Sequence, residues 1–498
     1  MASKPIPLER MIFVSLSIHQ LKPQSVFYYF EEISKIPHGS GNEKAISDYL
    51  VAFAKQHHLE VIQDAAMNII IKKAASPGYE NAPTVIIQGH MDMVCEKNKD
   101  TVHDFENDPL QLRIIDDMLY ATNTTLGADN GIAIAYALAI LAATDIPHPA
   151  LEVLITTEEE TGMGGAMAID PSHLKGSILI NIDSEEEGHL LVSCAGGVRT
   201  KHILPIVWED IQENAVIYAI RIRGLKGGHS GMEIDKGRGN ANKLMGRILN
   251  DLSTVCSFQI IDINGGSKMN AIPRECDVLF AVAPGTEEVL KAKVEEWGLL
   301  LKNELRTSDP DVFIQLDELN RAIQRVFSPD TTYKAIASLV LIPNGVQTMS
   351  MDIPGLVESS TNLGVVTTDQ EVIRFESAIR SSVKSLKYKI LNEAKMVAKI
   401  LDCELKADSD YPEWSYNPDS KIRPLFQKVY EEKYGKEAKI IAIHAGVECG
   451  LFKEKMEHLD MISFGPNMYD VHTPNEHLSI SSTERTWDYL LAVLKEIK

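Results

Sequence analysis

The chain has 498 residues, with 49 Lys and Arg against 70 Asp and Glu and a formal net charge of −21. That balance excludes a basic nucleic-acid binder and a protein drawn to anionic lipid, since both need clustered positive charge. Hydrophobic residues at 44% and charged residues at 24% are globular proportions, so bulk disorder is excluded and the length suits about two or three domains.

Residues 11–18 form the first apolar run. It is short, broken by serines, preceded by Glu9 and without a small-residue cleavage site, so it does not read as a secretory signal. No stretch reaches the roughly 20 apolar residues of a membrane-spanning helix. Six cysteines without a C-x-x-C pair fit reduced thiols in the cytoplasm. Residues 24–60 read as helical, with Phe27, Phe30, Ile33, Ile46, Leu50 and Phe53 at helical spacing. Buried-type strands follow at 85–87, 151–155 and 178–182, separated by a helix over 130–143. Apolar runs without polar alternation suggest strands of an α/β sheet covered on both faces.

The pattern changes after Gly197. A half-exposed strand near 216–223 precedes a helix over 240–252, strands near 257–263 and 274–283, and a helix over 287–305. A second set repeats the scheme loosely, with a helix at 331–340, strands near 356–366 and 371–380, and a helix at 383–401. Strands near 438–443 and 459–464 then return to the first style. The expected architecture is an α/β catalytic domain (1–196 and 393–498) split by an α+β lid domain (197–392).

Residues able to ligate metal recur where strands of the first domain end. His90 and Asp92 stand two apart in Gln88-Gly-His90-Met-Asp92, so an extended chain points both to one side. Asp129 precedes a helix, where it could serve as a cap. Glu158, Glu159 and Glu160 follow the strand from Leu151, Asp183 follows the strand from Ile178, and His472-Thr-Pro-Asn-Glu476 adds a second imidazole. Open α/β sheets bind ligands beyond the carboxyl ends of their strands. Two imidazoles with three or four carboxylates suit one or two zinc-like ions with room for water. Any one of these residues could be a cap, a solvated charge or a core imidazole, but the coincidence at successive strand ends favours a site. Adjacent glutamates in an extended chain diverge, so one can bind metal while the other faces the activated water. Metal-assisted hydrolysis of an amide is the chemistry this implies.

These segments, with Leu126-Gly-Ala-Asp129-Asn-Gly131 and Glu159-Glu160-Thr-Gly162, resemble the di-zinc dipeptidase, aminoacylase and carboxypeptidase G family over nearly the whole chain from about residue 24. The residues before that have no counterpart and read as an extension or as a start at Met11. The resemblance implies a di-zinc aminopeptidase-like catalytic domain carrying a ferredoxin-like lid. It implies that Asp129 bridges two divalent ions, zinc first with cobalt or manganese as alternatives. His90 and Asp183 would complete one ion and Glu160 and His472 the other. Glu159 would be the general base and Asp92 would orient His90. Glu158 has no assigned role.

The glycine-rich turn Gly224-Leu-Lys-Gly-Gly-His229-Ser-Gly231 matches the position whose histidine reaches over the metals to stabilise an oxyanion. Asn270 and Arg380 match substrate-holding positions, and Arg suits a free carboxylate because it binds bidentately. His444 and Glu448, in His444-Ala-Gly-Val-Glu448-Cys-Gly450, read as specificity residues. In some relatives the histidine equivalent to His229 comes from a partner subunit, so a homodimer and a single-chain arrangement are both open. The implied activity is hydrolysis of unblocked dipeptides, Xaa-His above all. The runner-up is an N-acyl-amino-acid deacylase or carboxypeptidase on the same scaffold. A non-catalytic relative would be expected to lose the base or a ligand, and this chain keeps them.

Overall fold

Runs of Val, Ile and Leu with no polar alternation place four strands at the centre of one sheet, buried on both faces. The computed structural model describes residues 18–498; the apolar run expected from residue 11 lies outside them up to Ser17. By its internal contacts the chain divides into two units. The first comprises residues up to Val192, Asn417–Ile440 and Lys455–Lys498, and the second Ser193–Tyr416 and Ile441–Glu454. No helix among the described residues is long and apolar enough to cross a membrane.

In the first unit the strands run in the order Glu60–Gln63, Ile69–Lys73, Leu151–Thr156, Val85–His90, Ile178–Asn181, Asp460–Ser463 and His189–Cys194. Leu151–Thr156, Val85–His90, Ile178–Asn181 and Asp460–Ser463 are mutually parallel, so their carboxyl ends open on one edge. The helix Ala128–Ala142 packs on Val85–His90, with 13 of its 15 residues buried. A helix apolar all round has no solvent face and belongs in the interior. Gly89 makes the close approach possible, because a Cβ there would lie 2.3 Å from Asn130 Oδ1 and 2.5 Å from Ala133 Cβ.

A small antiparallel sheet accompanies it, in the order Met468–Tyr469, His477–Ser479, Met118–Ala121 and Leu112–Ile115. The turn over residues 470–476 joins its first two strands, and the His477 ring stacks between Tyr120 and Tyr469 at 4.7 and 5.0 Å. His472 is therefore presented by a pinned hairpin.

The second unit is built on a largely antiparallel sheet of two nested modules. Strands Val216–Arg223, Phe258–Gly265, Cys276–Val282 and Phe313–Leu319, with helices Ala241–Leu252 and Glu287–Glu304, form a βαββαβ run. Taken in chain order, these strands lie as 4-1-3-2 in the sheet, the ferredoxin-like order. Gly196–Pro205, Val357–Thr368, Val372–Ser381 and Glu404–Tyr411, with helices Pro329–Leu341 and Lys384–Ile400, repeat the same run and the same order. The first module is inserted between the first strand and first helix of the second. Its entering and leaving segments, Trp208–Asp210 and Arg325–Phe327, pair with each other as a neck. The second strands of the two modules meet at Gly265 and Val366. The two modules run from Gly196 to Tyr411, past residue 392 where the α+β block was expected to end, and the loose internal repeat is their common topology. One core, including Ile220, Met245, Ile248, Phe280, Leu339 and Phe375, runs beneath both.

Candidate active site

The parallel strands of the first unit deliver their successors to one place. His90 ends its strand, Glu159 and Glu160 follow Leu151–Thr156, and Asp183 follows Ile178–Asn181. Asp129 comes from the first turn of the buried helix, just after Gly127, which takes φ +69°. Asp129 itself is non-helical (φ −82°, ψ 100°), and no side chain at the helix start serves as a cap. Its two oxygens face different imidazoles: Oδ1 lies 3.3 Å from His90 Nε2 and Oδ2 lies 3.0 Å from His472 Nε2. Asp183 Oδ1 is 3.5 Å from His90 Nε2, and Glu160 Oε1 is 2.9 Å from His472 Nε2. His90, Asp129 and Asp183 form one set of candidate ligands, and Asp129, Glu160 and His472 another. Glu159 groups with His90 and Glu160.

The glutamates do not lie in the extended chain expected from the sequence. Glu158 adopts φ +53°, and Glu159–Gly162 is a single helical turn. They separate because successive helical side chains diverge by about 100°. Asp92 holds that turn: Oδ1 accepts from Glu159 N at 3.0 Å, and Oδ2 accepts from Glu160 N at 3.2 Å and Ser40 Oγ at 2.8 Å. Negative charge at those amides is favourable. The nearest partner of His90 Nδ1 is the Asp92 main-chain oxygen at 2.9 Å, with the Asp92 carboxylate at 3.3 Å. Asp92 therefore ties the His90 ring to the turn bearing both glutamates.

The electrostatics suit a cation. Burial disfavours charge on His90, yet Asp183, Asp129 and Asp92 raise its pKa well above the ordinary imidazole value. Hydrogen bonds to Asp129 and Glu160 push His472 up to about 10. Burial pushes the Asp183 carboxyl up to about 6, and the Asp129 and Glu160 carboxylates add to the rise. Carboxylates that draw protons onto two imidazoles will also draw a divalent ion, which replaces those protons. Two imidazoles and three carboxylates, of which His90 is buried, are a fitting donor set for zinc or a similar metal.

Glu476 stood in the sequence motif without a role, and the structure supplies a contact for it. Its carboxylate is 2% exposed and accepts four main-chain N–H groups, from Leu126 (2.7 Å), Gly127 (3.1 Å), Ala128 (2.8 Å) and Asp129 (3.3 Å). Burial and the nearby Asp129 push it up to about 7, while the N–H groups pull the other way. The available signal was an acid four residues beyond a candidate liganding histidine.

The second unit gathers the other candidates. His229 pairs with Ala271 across a short ribbon, and Ser230 N donates to Asn270 O at 2.9 Å. Asn270 is exposed, on a loop held by Asn362 Nδ2, which donates to Met269 O and Ala271 O. His229 Nδ1 accepts from Gly231 N and Met232 N at 3.3 and 3.1 Å, which leaves Nε2 to carry the proton. Burial and the Arg380 guanidinium lower its pKa, so the ring is a neutral donor. Arg380 Nη1 donates to Tyr411 Oη at 3.1 Å, and its buried Nε has no hydrogen-bond partner. His444 Nε2 lies 2.6 Å from Ser360 Oγ. Glu448 is buried at the start of the helix Glu448–Lys455.

Burial and Arg380 push His444 down to about 3. Below its ordinary value of 6.5, the unfolded chain takes up a proton that the fold refuses, so stability is lost as pH falls from there towards about 3. Between pH 7 and pH 5, ion-stripped wild-type protein is expected to lose about 2 kcal/mol more than His444→Asn. Urea unfolding of both proteins at the two pH values measures this, and equal losses would refute it.

A model of the peptidase family M20/M25/M40 matches residues 86–496. The cytosol non-specific dipeptidase of Escherichia coli (strain K12) is 40% identical over 482 residues, covering 96% of this chain and 99% of the relative. The crystal structure of aminoacylhistidine dipeptidase from Vibrio alginolyticus is similar with a TM-score of 0.94 and 39% identity, over 97% of this chain and 98% of that one. Aminopeptidase PepT from Bacillus cereus shares the fold at a TM-score of 0.55 and 14% identity, over 96% and 99% of the two chains.

Proposed function

We propose, from the premise that this chain belongs to the peptidase family M20/M25/M40, the following account of its reaction. The chain is a dipeptidase, hydrolysing the peptide bond of dipeptides with metal assistance. Its preferred substrates are unblocked, Xaa-His among them, and it works in the cytoplasm; the Vibrio relative is named an aminoacylhistidine dipeptidase and the E. coli relative a cytosol non-specific dipeptidase. The observation that carries the mechanism is the Asp129 carboxylate, one oxygen turned to each imidazole.

His90, Asp129 and Asp183 would hold one divalent ion, and Asp129, Glu160 and His472 a second, with zinc the natural choice for this donor set. When bound, the ions supply Lewis acidity, which lowers the pKa of water and polarises a carbonyl. Glu159 takes the proton of the attacking water and passes it to the leaving amine. Its N–H bond to Asp92 fixes where that carboxylate starts. Glu160 faces His472 instead, which supports its separate assignment as a ligand. The neutral His229 donates from Nε2 to the oxyanion that forms at the carbonyl. Arg380, with a buried donor to spare, receives the free carboxylate of the substrate. Asn270, His444 and Glu448 complete the substrate contacts.

A substrate panel with metal content measured on the same sample tests this reading. Free histidine is expected from glycyl-histidine and β-alanyl-histidine and not from acetyl-histidine. Preferential cleavage of the acetylated compound would favour the deacylase.

A further inference from the structure

We infer that Glu476 is a positioning residue, whose carboxylate holds the Asp129 turn and the His472 hairpin in the one arrangement that can bind two ions. The inference rests on the assignment of Asp129 as the ligand shared by both ions. The hairpin touches Asp129 twice. His472 reaches its carboxylate from one end, and Glu476 grips the four amides of residues 126–129 from the other. Between the two, Thr473 Oγ1 donates to Asp470 O at 2.7 Å and Glu476 N donates to Thr473 O at 3.0 Å, so the turn is closed on itself.

The residue type follows from the contacts. Four convergent N–H groups need an acceptor with four lone-pair sites, which a carboxylate provides and an amide does not. A glutamine would turn its own N–H groups towards two of those donors. The turn would then lose half its anchors, with Asp129 at its end. Outer contacts of this kind fix the direction of a liganding group, and their removal costs about 10- to 100-fold in metal affinity.

The test uses zinc-loaded full-length protein, with ion stoichiometry by mass spectrometry, affinity by chelator competition and the absorption spectrum of the cobalt-substituted form. Glu476→Gln is expected to weaken zinc binding about 10- to 100-fold, to lose one ion before the other and to alter the cobalt spectrum. Glu476→Asp, which keeps the charge on a shorter arm, is expected to show a smaller loss. A merely structural role would lower the melting temperature of ion-free protein and leave the folded protein's affinity and spectrum alone. Wild-type affinity in Glu476→Gln overturns the inference. If that variant does not fold, Glu476→Asp decides by the same measurements, and wild-type affinity in it, or failure of both to fold, also overturns it. Wild-type protein that binds no zinc overturns the metal assignment of Asp129 instead.

Discussion

Glu159→Gln is expected to lower kcat by about 100- to 10,000-fold while KM and the ion content stay near those of the wild type. The substitution removes a proton acceptor and little else. Glu159 N stays bonded to Asp92, and the Asp129, His90 and His472 contacts do not involve the changed atoms. Glu160→Gln should behave differently, because Glu160 Oε1 is 2.9 Å from His472 Nε2 in the second set of candidate ligands. Its expected signature is loss of an ion along with loss of rate. Steady-state kinetics with ion content on the same preparations separates the two. If Glu159→Gln loses the ion and Glu160→Gln keeps it, the two roles are exchanged.

Exhaustive chelation should abolish dipeptide hydrolysis, and added zinc, cobalt or manganese should restore it. The five candidate ligands converge through Asp129, so Asp129→Asn should lose both ions together and fall to the rate of the chelated wild type. Asparagine keeps the size of the side chain but replaces one charged oxygen with an N–H donor, so it cannot offer an anionic oxygen to each side. Hydrolysis of glycyl-histidine that survives chelation, or Asp129→Asn that retains two ions, would sink the metal mechanism.

The strands that carry the site were legible because burial on both faces leaves a plain signature. Val85-Ile-Ile87, Leu151 to Ile155 and Ile178 to Ile182 have no polar alternation, and the strands observed there are almost wholly buried. Liganding residues just beyond such runs were therefore visible as a set. Glu404–Tyr411 was not, since it is a polar edge strand, Glu-Leu-Lys-Ala-Asp-Ser-Asp-Tyr, exposed along most of its length. Phe313–Leu319, at the opposite edge, has no buried residue to mark it. Without those two edges the 4-1-3-2 order of each module cannot be read from sequence. The helical turn at Glu159 was missed because its support is not local. It rests on Asp92, far off in the chain, and on Glu43, which accepts from Glu158 N at 3.2 Å. Likewise the partners of Glu476 are main-chain groups, which leave no mark on residue identity.

The place of Asp460–Ser463 in the first sheet governs when the enzyme can first work. That strand lies between Ile178–Asn181 and His189–Cys194, so a central position waits for residues synthesised near the end. The inner module of the second unit is contiguous and can form its strands while later residues are still being made. The outer module must wait for Glu404–Tyr411, and the first sheet longer still. His472 and Glu476 come later again. If His472 is a metal ligand as proposed, hydrolytic competence is expected only once the hairpin has been made, and a chain stalled before it is expected to lack peptidase activity.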